Sequence, residues 1–418
     1  MSSKVKAIHP GCNIFNYHHS YEVLHRSGFS VCRNFYDLHL SESINARRLF
    51  SYEFLDPSGP SRVGTAAALD TLCIAQMATA LNDAKLMLVA RSTYGKALRF
   101  LRMKIDSFQS EQPGRSQLDD IIEAVHCLTA CAWFDCIGAD RLEWTRHTQA
   151  LLRILENFGW EAINPDTVRT FYYNWKYRTF FDALSLRQKA LFREPPRMPQ
   201  EFYASTSFLT DYALEVPGLI WRSDRFFEAA KSKRIGPEMV LRLLTQLGLS
   251  TMKLKRWHLE WVRRFTPRAS YHVVSTGAFH DFMLLSGEHF GVFPIAYDFC
   301  SAQHERDFRI LCICLLNLDQ AIINLHQAFP DYCFGREMEL HLRSVEYDAT
   351  TCASDLCMSI PWTTQPQNGS FAAIHAQQPL HYASRYFQSQ GKKRELAWCQ
   401  HVSKELNARY GIAIKFTD

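Results

Sequence analysis

Cys127 and Cys131 stand four residues apart, next to His126 and close to Cys136. On a helix that spacing puts two thiols on one face, which is how a zinc site begins. A complete site needs further ligands at recognisable spacing, and none follows. Ala130, Ala132 and Trp133 support another role, small hydrophobes on a buried helix face. Cys312 and Cys314 point about 200° apart on a helix and do not chelate there. We expect neither a bound metal nor a cofactor.

Positive charge collects between Lys253 and Arg268. Lys253, Lys255, Arg256, Arg263, Arg264 and Arg268 accompany one acid, Glu260, while Leu254, Trp257, Trp261 and Phe265 recur at helical spacing. Such a helix buries its tryptophans and turns a basic face toward phosphate or an acidic partner surface. We assign nucleic-acid or partner binding to Lys253, Arg256, Arg263 and Arg264; a merely solvated face on a core helix is the alternative. Lys392, Lys393 and Arg394 follow Gly391 and have the composition of a short nuclear import signal, or of a surface turn beside a helix.

The sequence holds no glycine-rich phosphate loop, nucleophile elbow or zinc-protease helix. Asp298, His304, Glu305 and Asp307, or His280 with Asp281, are polar groups that caps and solvated pairs also use. No residue is assigned a catalytic role.

The elements that must position these residues are helical. Leu69, Leu72, Cys73, Met77 and Ala80 form one stripe within Val63 to Leu81, and Tyr94, Ala97, Leu98, Leu101, Ile105 and Phe108 form a second after a turn at Asn82 and Asp83. A third helix is predicted to begin at Ser116, with Asp119 completing a capping box, and to stop near Gly138. Further helical patterns cover Leu142 to Phe158, Thr167 to Phe192, Pro237 to Leu247, Met252 to Phe265, Asp307 to Phe329 and Lys393 to Tyr410. Irregular chain is predicted at Phe54 to Ser61, Glu194 to Pro199, Ala269 to Gly277 and Thr351 to Ser370, where Pro, Gly, Ser and Thr collect. The pattern predicts an all-α, multi-helix domain over residues 62–418, an irregular N-terminal arm over 1–61, and no sheet of more than two short strands.

With 418 residues, 47% of them hydrophobic, the chain can bury a large core, and a formal charge of +5 is too small to argue for nucleic acid by itself. Its most apolar run, Ile310 to Leu318, is bounded by Arg309 and Asp319, so no membrane partner is expected; nor does the start of the chain resemble a signal peptide. Thirteen scattered cysteines suit reduced thiols in a cytosolic or nuclear setting, where the Asn368-Gly369-Ser370 sequon has no role.

Four stretches carry a family resemblance. They are Gly64 to Ile105, with Tyr94-Gly95-Lys96-Ala97-Leu98; Phe180 to Ser185 with Arg193 to Pro196 and Pro199 to Tyr203; Phe290 to Leu325; and Ala383 to Phe387 with Trp398 and Gly411. In order and spacing they resemble the fungal-specific transcription factor domain, the helical regulatory half of fungal zinc-cluster transcription factors. That family's DNA reader packs six cysteines into about thirty residues around two zinc ions, whereas the first fifty residues here hold only Cys12 and Cys32. The chain is similar to short regulators of fungal secondary metabolism, trichothecene-type mycotoxin clusters among them, that lack the cluster. The resemblance implies a nuclear transcription regulator, partnered by a DNA-binding transcription factor or by promoter DNA, with room for a small-molecule ligand in a helical cavity. A cofactor-free cyclase or isomerase of a natural-product pathway, built on the same fold, is the alternative.

Overall fold

Small residues open the described chain. Ala68, Leu72, Cys73 and Ala75 are buried along α1 (Val63–Ala80), and their size lets α2 (Ala84–Ser107) and α3 (Arg115–Cys131) pack close. Asp83 caps α2 by accepting from the backbone N–H of Lys85 at 2.9 Å and of Leu86 at 3.1 Å. Leu86, Ala90, Tyr94, Ala97 and Leu101 then turn one face inward. The α3 helix starts one residue before the expected Ser116, because Gly114 N–H is held by the Gln117 side chain at 2.9 Å, leaving Ser116 inside the first turn. Lys104 pairs with the buried Asp120 across the α2–α3 contact.

The computed structural model describes residues 63–80, 83–108, 114–131, 147, 150–151, 153–154, 157–159, 176–177, 179–188, 209–230, 236–264, 271–330, 336–365 and 369–410. The expected arm over 1–61 lies outside them, as do the predicted loop Glu194 to Pro199 and the residues Trp133, Cys136, Phe265 and Arg268.

After α3, helical residues recur within 147–158 and 176–185, followed by α4 (Leu209–Ala230) and α5 (Pro237–Arg264). Two helices were expected where α5 is one. Gly248 favours a break, but Leu247, Ser250, Thr251 and Leu254 are all buried, so tertiary packing holds the helix through it. The stretch expected to be irregular from Ala269 contains strand β1 (Tyr271–Ser275), which pairs antiparallel with β2 (Ile295–Phe299), Tyr271 opposite Phe299. Val273 and Val274 supply the β-branched residues that suit it. These two strands form the sheet of the described residues, and the short helix α6 (His280–Ser286) lies between them.

The remaining body surrounds α7 (Ala302–Ala328), which meets α4, α5, α8 (Arg336–Thr363) and α9 (Gly369–Ser389). Ser301 caps α7 by accepting from His304 N–H at 3.3 Å. Residues Phe308 to Leu316 are buried on every side of α7, the mark of a core helix. By length and composition the stretch His304–Ala328 is apolar enough to cross a membrane, yet 83% of its most apolar window is buried inside the protein.

Chain expected to be irregular from Thr351 is helical as far as Thr363. Thr350, Thr351 and Ser354 each donate to the carbonyl four residues back, at 2.9–3.0 Å, so hydroxyls that usually compete with a helix are satisfied within it. The last described helix, α10 (Lys393–Tyr410), packs on α9 and also reaches α1. The described protein is predominantly helical, with one two-stranded ribbon.

Candidate functional site

Helix α5 has two faces of opposite character. Its inner face buries Val240, Leu243, Leu247, Leu254 and Trp261, and the half-buried Trp257 stacks on Trp261 with ring centroids 5.7 Å apart. The edge of His304, at the start of α7, meets Trp261 at 5.5 Å. The tryptophans therefore anchor the helix to the core.

The outer face carries the sequence-predicted residues Lys253, Arg256 and Arg263, all exposed. Arg264 ends the helix, and its side chain lies outside the described residues. Lys253 reaches Glu215 of α4 at 3.3 Å, and Lys255 donates to Asp348 of α8 at 2.6 Å. Arg256 sits 3.9 Å from Glu260 one turn along, a weak surface pair. Part of the positive charge thus ties α5 to its neighbours, and Arg256 and Arg263 are solvent-exposed. Sequence reasoning missed that Leu241, Leu249, Met252, Leu259 and Val262 are exposed on this helix too. The spacing of Leu241, Met252 and Leu259, eleven and then seven residues, returns a helix to one face and was the available signal.

Beneath this surface, polar groups form a chain along α7 and α8. Arg309 and Glu305, each 1% exposed, pair at 3.0 Å. Thr363 donates to Glu305 at 3.2 Å, and Arg309 donates to the Tyr177 hydroxyl at 3.1 Å and to the His375 carbonyl at 3.4 Å. Burial pushes the Glu305 carboxyl up from its ordinary range, against the pull of Arg309. Farther along, burial lifts Asp319 to about 7 while Lys255 pulls it down and Asp348 adds to the rise. Asp355 is lifted to about 6 by burial, opposed by the hydrogen bond that the Tyr297 hydroxyl donates at 2.6 Å. Of the polar residues singled out by sequence, Glu305 joins this network. His304 turns to Ser301 and Trp261, Asp307 is buried, and Asp298 lies exposed on β2 opposite His272. His280 and Asp281 begin α6.

Cys127 and Cys131 do share a face, and both are buried. The Cys131 thiol donates to the Cys127 carbonyl at 3.3 Å, and burial followed by the charge of Glu123 pushes the Cys127 thiol far up. Cys127 thus stays protonated, and both thiols serve as small core residues. Cys357 and Cys399 bring their sulfurs to 3.6 Å between α8 and α10. Among the described residues no three His, Cys, Asp or Glu side chains gather as metal ligands would. Lys392 closes the turn between α9 and α10, and Lys393 and Arg394 open α10: Gly391 adopts φ 65°, Lys392 N–H bonds the Phe387 carbonyl at 2.9 Å, and Arg394 reaches the Gly291 carbonyl at 3.1 Å.

A groove of about 520 Å³ lies beside α4, open to solvent and lined by Arg187, Trp221, Asp224, Arg225, Glu228 and Ala229. Arg225 lies over the Trp221 ring at 4.9 Å, and Arg187, held at φ 49°, pairs with Asp224 at 3.4 Å. Arg187 and Asp224 thus offset each other's charge. No family model matches the chain, and no curated protein matches it.

Proposed function

We propose that this protein is a nuclear transcription regulator of the fungal-specific transcription factor type, controlling a secondary-metabolite gene cluster. It acts through a partner bound on the outer face of α5. One observation carries this reading: a 28-residue helix fixed to the core by Trp261 and Leu254 leaves both arginines and large apolar side chains in water on its other side. Exposed apolar side chains cost solvation free energy, and a cluster of them beside charge is characteristic of an interaction surface. The family resemblance supplies the regulatory role. No six-cysteine cluster stands in these 418 residues, which is consistent with DNA being reached through a DNA-binding factor.

The competing role, a cofactor-free cyclase or isomerase, calls for an enclosed apolar cavity with convergent polar groups. Among the described residues the groove beside Trp221 is open and lined by charged side chains, so it does not supply such a cavity. Deleting the gene and profiling transcripts and metabolites tests the choice. Collapse of many pathway transcripts is the expected result; normal transcripts with one accumulated intermediate would indicate catalysis instead.

A further inference from the structure

The exposed side chains of α5 form a docking row with a definite chemistry. Successive helix residues turn by about 100°, so Leu241, Met252 and Leu259 fall within about 20° of one another, and Arg256 and Arg263 follow at about 40–60° to one side. Met252 is 67% exposed, Leu259 59% and Leu249 54%. With Lys253 tied to Glu215 of α4, Arg242, Arg256 and Arg263 still outnumber the acids of α5 on this side, Glu238 and Glu260. The row runs most of the length of the helix.

We infer that this row receives an acidic amphipathic helix from another protein, whose apolar residues cover Met252 and Leu259 and whose carboxylates meet Arg242 and Arg256. The inference rests on the partner-bound regulatory role above and names the chemistry of that partner. Charge decides between occupants. In a parallel pairing of two copies, Arg256 and Arg263 meet their own counterparts. In an antiparallel pairing centred on Met252, Leu241 faces Arg263 and Leu249 faces Lys255, and in the register that sets Leu241 opposite Leu259, Met252 faces Gly248 and Arg256 faces Leu244, so apolar and charged groups are mismatched in both. A DNA backbone would engage the arginines but bring nothing apolar to Met252 and Leu259. An acidic amphipathic helix satisfies both components.

The test uses the full chain and a fluorescent synthetic helical peptide with Leu at its seam positions and Glu on its flanks, beside a twin carrying Lys on its flanks. Saturable binding of the Glu peptide alone is expected. Met252→Glu should weaken it by about tenfold or more. Arg242→Glu with Arg256→Glu should weaken it by about tenfold and transfer binding to the Lys peptide. All three positions are exposed, so an unchanged thermal midpoint accompanies these losses. No saturable binding, equal binding of both peptides, or a dimer that dissociates on Met252→Glu would overturn the inference. Charge-dependent peptide binding together with normal transcripts in the deletion strain would leave the inference standing and remove the regulatory role; collapsed transcripts with no peptide binding would do the reverse.

Discussion

In α7 the side chains of Glu305, Arg309 and Asp319 are shut inside the protein, whereas in α5 those of Lys253, Arg256 and Arg263 stand in water. The two helices lie against each other, and each carries several charges on an otherwise apolar framework. A charge taken from water must be paired or neutralised where it lies: Glu305 and Arg309 are committed to each other, to Thr363 and to Tyr177, while burial pushes Asp319 toward its neutral form against the pull of Lys255. A charge left in water contributes little to stability and can be turned to a partner at little cost to folding. Burial, rather than residue type, separates structural charge from charge able to bind.

Removing an interior charge is the strongest way to test that separation. Arg309→Ala leaves Glu305 buried without its cation and should lower unfolding free energy by roughly 3–5 kcal/mol in a denaturant titration. A loss below about 1 kcal/mol would mean that water or rearrangement replaces the pair. Next comes the anchor. Trp261→Ala should cost about 3 kcal/mol, the lower end for a tryptophan, because the stacked Trp257 can settle partly into the space.

Asp319 offers a test with a sign. Its folded pKa is raised to about 7, above the ordinary carboxylate range, so between roughly pH 4 and pH 7 the folded state binds the proton that the unfolded state gives up. Stability therefore falls as pH rises through that window. Asp319→Asn should flatten the fall and stabilise the protein at pH 8 by about 1–3 kcal/mol. Asp355, raised to about 6, adds a smaller slope of the same sign. Thermal midpoints of wild type and of the Asp319→Asn and Asp355→Asn variants, collected from pH 4 to pH 8, check both by difference, since His258 and His326, lowered by burial, add a slope of opposite sign. A variant whose slope matches wild type would contradict the assignment.

The smallest effects belong to the surface. Lys253→Ala breaks a pair with Glu215 in which both partners are about half exposed, and should change stability by less than about 1 kcal/mol. A larger loss would place Lys253 among the structural charges.

How much of this was legible depended on what decided each feature. Local periodicity fixed α1, α2, α10 and the inward turn of Leu254 and Trp261, because regular burial leaves its 3.6-residue trace in the residues themselves. Propensity misled where packing overrode it, at Gly248 within α5 and at Thr351 and Ser354 within α8. The basic character of α5 could be read directly, whereas its apolar outer row could not, since leucines and methionines on a helix are ordinarily counted as core. The Glu305–Arg309 pair was half visible as an i, i+4 spacing at the rim of an apolar run. Tyr177 and His375 lie more than sixty residues from Arg309 in either direction, and only the fold brings them to it.

The central claim is that the outer face of α5 regulates while its inner face only anchors. The most direct test replaces Arg256, Arg263 and Arg264 together by Ala and measures target transcripts, protein level and thermal midpoint in the same strain. The account predicts transcripts reduced to the level of the deletion strain, with protein abundance and midpoint unchanged. Normal transcription from the triple variant at normal protein level would contradict it and return these arginines to a solvated surface.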